Sequence, residues 1–202
     1  RLWNGAELPT DNKSNVLGEI KKYENLLENF EINIDRNIFE NIDQYSVADL
    51  NQLRLKLESD YQDQLELQYA ASQGEDANIS EIINYLKILD NQKGVETKNI
   101  EKIYEKAAYL EWTVWRAFLA INSLKIPAYK TRRFKVDQDF YPISCAPGRG
   151  PDMIFIFDEF ALVVEVTLTT SSRQEAAEGE PVRRHVALEK SRIFEEYNIP
   201  VY

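Results

Sequence analysis

Through most of the first 120 positions, apolar residues recur at steps of three and four. After position 150 they come in short runs rich in β-branched and aromatic residues, so the pattern predicts helices first and strands later. Residues 1–12 show no period. Val16 to Phe30 carries the stripe Ile20, Tyr23, Leu27 and Phe30, whereas residues 31–45 fit neither template. Ser46-Val47-Ala48-Asp49 reads as a capping box, followed by Leu50, Leu53, Leu57, Tyr61, Leu65 and Tyr69. That helix is expected to run to about Gln73 and to stop at Gly74. Ser80 is placed to cap a further helix through Ile82, Ile83, Leu86 and Leu89, ending near Gly94. From Lys98 a long helix is expected, its stripe being Ile100, Ile103, Tyr104, Ala107, Leu110, Val114, Phe118 and Ile121, and Ile126-Pro127 lies beyond its end.

Met153 to Phe157 and Phe160 to Val166 are two apolar runs separated by Asp158-Glu159, the pattern of a β-hairpin. A tight turn at 158 and 159 makes every pair of positions summing to 317 face one another, which sets Asp152 against Glu165. Opposed Cβ atoms lie about 4.5–5.5 Å apart and like charges there repel. Either one carboxyl has a raised pKa, or a divalent cation sits between them as Mg2+ does on one or two carboxylates, or the pair splays apart into solvent. After Leu168 the chain is polar and turn-prone to Glu180. Pro181 fits the first position of a helix that continues through Val182, Val186, Ile193 and Tyr197. Asn198-Ile-Pro-Val-Tyr202 then reads as the start of a strand returning parallel to the hairpin.

Charge sharpens the division. The formal net charge is -10. Residues 1–112 hold 12 Lys+Arg against 22 Asp+Glu, and residues 113–202 hold 12 against 12, so the acidity belongs to the first half. Bulk electrostatic attraction to DNA is therefore not what this chain offers. The stretch from Lys125 to Arg149 is locally basic, with Lys125, Lys130, Arg132, Arg133, Lys135 and Arg149 against Asp137 and Asp139. Such cations suit phosphate contacts, and ordinary surface charge explains them nearly as well. Cys145 and His185 are single, which excludes Cys/His zinc sites and leaves oxygen-ligated metals. No apolar run approaches about 18 residues and no leader pattern is present, so a cytoplasmic protein is expected. The chain opens on Arg1 and stops inside a predicted strand, and is expected to be truncated at both ends.

Pro151-Asp152 followed by Glu165-Val166-Thr167 resembles the PD-(D/E)xK nuclease motif, with threonine where lysine is usual. The longer run from Val163 through Thr-Ser-Ser-Arg-Gln-Glu to Arg183-Arg184-His185 resembles the AlwI-type restriction endonucleases, including their strand-specific nicking members. The specific part of the likeness covers about 110–202. It implies catalytic roles for Asp152, Glu165 and Glu178, with His185 beside them, and Mg2+ held by the three carboxylates. Arg132, Arg133, Arg149, Arg173, Arg183 and Arg184 become candidates for DNA phosphates. Glu111 and Thr167 are weaker candidates. The implied fold is α plus α/β, with a helical linker domain over 1–95 and a restriction-endonuclease-like core over 96–202 whose mixed central sheet is flanked by helices.

The implied activity is hydrolysis of a phosphodiester in one strand of double-stranded DNA by a bacterial cytoplasmic enzyme. A recognition domain N-terminal to this region and a second, smaller nuclease subunit are the implied partners, with no membrane. A structure-selective or repair nuclease on the same core remains open, as does a non-catalytic assembly or binding subunit. The DNA sequence read, the cut position and the group replacing the lysine are not encoded in these patterns.

Overall fold

The computed structural model describes residues 12–32, 34–90, 105–121, 124–148, 150–168 and 172–202, with side chains in the last stretch from Arg183 onward. The chain divides into two compact units, Arg1–Glu66 and Leu67–Tyr202. The boundary falls inside a helix, earlier than the domain boundary expected at 95. α3 packs on α4, and both belong to the second unit.

In the first unit, α1 (Lys13–Glu28) is capped by Asn12, whose side chain accepts from Asn15 N–H at 2.9 Å. α1 buries Val16, Ile20, Tyr23 and Leu27 against Leu50 and Leu57 of α2 (Val47–Ser72). The ambiguous stretch 31–45 contains two short 3-10 turns, Arg36–Phe39 and Ile42–Gln44. The capping box forms as expected: Ser46 N–H donates to Asp49 Oδ2 at 3.1 Å and Asp49 N–H to Ser46 Oγ at 3.2 Å. Those two bonds satisfy donors that a helix start leaves orphaned.

α3 (Asp76–Leu89) begins earlier than expected, with Glu75 at its N-cap, so Ser80 lies inside the helix instead of capping it. The expected end near Gly94 lies outside the described residues. Of the long helix expected from Lys98, the described part is α4 (Lys106–Leu119). Arg116 of α4 is buried and spans to three polar groups. Its Nε donates to Gln73 Oε1 at 2.6 Å and its Nη2 to Asn78 Oδ1 at 3.1 Å, and Nη2 is paired with Glu81 at 2.7 Å. Burying a guanidinium is costly unless it is paired in this way.

β1 (Lys135–Val136) and β2 (Pro142–Ser144) form a small hairpin. Its turn holds Phe140 at φ 64, a left-handed backbone that side chains seldom adopt. Phe140 is fixed there by stacking on Tyr69 at 4.4 Å and by donation from Trp112 Nε1 to its carbonyl at 2.7 Å.

β3 (Met153–Ile156) and β4 (Ala161–Val164) pair antiparallel in the expected register, Met153 with Val164 through Ile156 with Ala161. Phe157 N–H donates to Phe160 O at 2.9 Å and closes the turn. Both outer edges are engaged. Arg132 and Leu124 bridge to Met153 and Phe157 on the β3 side, and Val201 bridges parallel to Ala161 on the β4 side. The expected return of the chain parallel to the hairpin is thus present. Side chains alternate across the row: Met153, Phe155 and Phe157 join Trp112, Trp115 and Leu119 in one core, while Ile156 and Ala161 join Ile193, Ile199 and Val201 in another. The strands are buried between α4 and α5 (Ser172–Tyr197).

α5 starts well before Pro181, correcting the expectation of a turn-prone segment to Glu180. Arg183, Arg184 and His185 therefore lie in the body of the helix and not in its first turns, where a start at Pro181 puts them. Side-chain hydrogen bonding engages the backbone just before the proline: Arg183 Nε donates to Gly179 O at 2.9 Å.

Candidate active site

The open end of the hairpin is where chemistry collects. Extending the observed register by one residue opposes Asp152 and Glu165, both on the face shared with Ile154, Ile156 and Val163 and turned toward α5. Asp152 is held by the opposite strand, since Val166 N–H donates to its Oδ2 at 2.9 Å. Glu165 meets His185, whose Nδ1 lies 2.6 Å from Oε1, with side-chain exposures of 15% and 23% for the histidine and the glutamate. With the proton on Nδ1, the imidazole donates to the carboxylate. Burial pushes the Glu165 carboxyl up, the His185 contact pulls it down, and the Asp152 carboxyl pushes it up again. Desolvation and the neighbouring carboxyl together outweigh the histidine.

Glu111 enters the same site from α4. It is 6% exposed, and Ala146 N–H donates to its Oε2 at 2.7 Å. Burial raises its carboxyl, the Ala146 bond opposes this, and the charges of Asp152 and Glu165 raise it further. Cys145 lies beside it, its thiol raised by burial and then by Glu111. The family resemblance was the cue to Glu111, as a weak candidate. Nothing in the pattern pointed to Cys145.

The remaining candidates are distributed as follows. Thr167 is exposed just beyond β4. Arg132 lies over the rings of Trp115 and Phe134, at 5.3 and 5.8 Å, and donates from Nη1 to Phe134 O at 2.9 Å. Arg133 Nη1 donates to Pro151 O at 3.1 Å. Arg183 and Arg184 are exposed on α5. Arg149 and the side chains of Arg173 and Glu178 lie outside the described residues. Among the described residues, no three His, Cys, Asp or Glu side chains are grouped to hold a metal ion. No described helix is long and apolar enough to cross a membrane.

The family model for the AlwI restriction endonuclease matches residues 1–202, the whole chain. The chain belongs to the AlwI restriction endonuclease family. Among solved structures, this family member is similar to the small subunit (R.BspD6I2) of the heterodimeric restriction endonuclease R.BspD6I. The identity is 23% and the TM-score 0.47, over 61% of this chain and 56% of that subunit. The chain thus spans little more than half the length of that subunit. Comparison with curated proteins gives no match.

Proposed function

We propose that this member of the AlwI family is the cleavage part of a type II restriction or nicking endonuclease on a PD-(D/E)xK core. In this reading it hydrolyses one phosphodiester in one strand of double-stranded DNA with Mg2+. The observation that carries the reading is the meeting of Asp152, Glu165 and His185 on one face at the hairpin's open end.

The donor set fits a hard divalent ion. Asp152 and Glu165 offer only carboxylate oxygens, and Mg2+ commonly takes one or two carboxylates and completes its shell with water and substrate phosphate. Burial and, after it, the Asp152 charge raise Glu165, and a cation between the pair relieves the repulsion. When bound, the ion supplies Lewis-acid polarisation of the phosphate and a more acidic water.

Asp152 and Glu165 would hold the ion, with Glu178 joining them by the family motif. His185 would keep Glu165 oriented through Nδ1, leaving Nε2 to hold or pass a proton. Glu111 would keep the Cys145-Ala146 turn against the site. Thr167 brings no cation, so the work of the usual lysine falls to Glu178, His185, Arg173 or a second ion. Arg149, Arg183 and Arg184 would meet phosphates. Address and chemistry are separate in this reading: an N-terminal recognition domain selects the DNA, and a second, smaller nuclease subunit is needed to cut the other strand.

One competitor is an inert assembly or binding subunit, in which the carboxylate pair holds no ion. Supercoiled plasmid incubated with the chain and Mg2+ at low salt separates the two, read beside calorimetric Mn2+ binding. Slow, scattered nicks and Mn2+ binding are expected, both falling at least about 100-fold in Asp152→Asn and Glu165→Gln. An intact plasmid together with no Mn2+ binding that depends on Asp152 overturns the reading. A discrete cut beside one short sequence overturns the separation of address from chemistry.

A further inference from the structure

The segment from Gly150 to Asp152 delivers the first carboxylate, yet it belongs to no helix and precedes the first residue of β3. Two bonds from one residue fasten it. Arg133 N–H donates to Asp152 O at 3.1 Å, and Arg133 Nη1 donates to Pro151 O at 3.1 Å. The guanidinium lies across Gly150 so closely that a Cβ there would collide with Nη1 and come within 2.9 Å of Cζ. The base of this clasp is rigid: Trp115 Nε1 donates to Thr131 Oγ1 at 2.8 Å, Thr131 Oγ1 donates to Ala128 O at 2.7 Å, and Ile154 N–H donates to Thr131 O at 2.8 Å. A cation reserved for DNA phosphate has no need of a glycine shaped to receive it.

We propose that Arg133 is a positioning residue for Asp152, clasping the Gly150-Pro151 backbone so that the carboxylate meets the Val166 N–H, and that Gly150 is glycine to admit the guanidinium. This rests on the proposed Mg2+ site, but the clasp is observable without metal or DNA. The Val166 amide reports where Asp152 lies.

Gly150→Ala separates clasping from charge, because it expels the guanidinium while keeping the cation. In the full chain without metal, Arg133→Ala and Gly150→Ala should both speed hydrogen exchange at Val166 by about tenfold, the loss of one hydrogen bond. The thermal midpoint of Gly150→Ala should change little, since only the end of a flexible side chain is displaced. Mn2+ affinity should fall in both variants and recover in part in Arg133→Lys. Unchanged Val166 exchange in Gly150→Ala, with DNA binding weakened only in Arg133→Ala, overturns the clasp and makes Arg133 a phosphate contact. Faster exchange in both variants while the unaltered chain binds no Mn2+ upholds the clasp and overturns the metal site alone.

Discussion

His185 Nδ1 lies 2.6 Å from Glu165 Oε1, the one histidine of the chain set against a carboxyl that burial and Asp152 hold above its ordinary value. An acid raised on folding holds its proton more tightly in the native state than in the unfolded one. The stability it contributes is present at acid pH and is lost as pH rises from 4.5 through the folded pKa. Denaturant titrations across that window should therefore decline more steeply for the unaltered chain than for Glu165→Gln. In His185→Ala the lowering influence is gone, so the acid limb of the proposed Mg2+-dependent nicking should shift to higher pH. An unmoved limb would remove His185 from the proton balance of the site.

The buried Arg116 supports a second expectation. Arg116→Ala leaves Gln73, Asn78 and Glu81 without their shared donor and opens space under Trp112, over which the guanidinium lies at 4.6 Å. The cost should be about 1–3 kcal/mol by urea denaturation, chiefly for the buried Gln73 oxygen left unpaired, since Glu81 regains solvent. Arg116→Met, which fills the space, should cost less. Equal losses in the two variants would make the lost hydrogen bonds and ion pair alone responsible, with packing adding nothing.

Strain at Phe140 inverts an ordinary order. Glycine normally destabilises relative to alanine, but at φ 64 alanine retains a penalty of about 1–2 kcal/mol that glycine lacks. Both substitutions lose the stack on Tyr69. Phe140→Gly should therefore melt higher than Phe140→Ala, and the opposite order would show that the turn relaxes out of the left-handed region.

The same contacts bear on where the second unit's independent fold begins. A fragment over 96–202 removes Gln73, Asn78 and Glu81 from Arg116 and Tyr85 from Trp112, against which it packs edge-on at 5.0 Å. A fragment over 67–202 keeps them all. The longer one should unfold cooperatively and the shorter one should not, as circular dichroism melts will show. Equal cooperativity would support the boundary at 95.

Local rules made much of this legible. The Ser46–Asp49 box, the Leu50–Leu57 stripe and the 317 register are each set within a few residues, by cap chemistry or by a period of two, and the structure bears out all three. The errors lie where long-range packing overrides a local sign. Ser80 offers a cap, yet the helix begins at Asp76 with Glu75 at its N-cap, and Ile82, Tyr85 and Leu89 are its buried residues. Pro181 offers a helix start, yet α5 runs through it. Glu111 and Arg133 looked like surface charges because their partners, Ala146 and Pro151, are backbone atoms in a loop with no period.

The bridges on both sides of the hairpin have a kinetic consequence. Residues 131–133 cover the outer edge of β3 and residues 199–202 cover that of β4. Strands flanked on both sides lose their amide protection only when the whole unit opens. The two carboxylates therefore stand on the last part of the second unit to come apart on heating. Loss of the site should coincide with global melting of that unit and should not precede it.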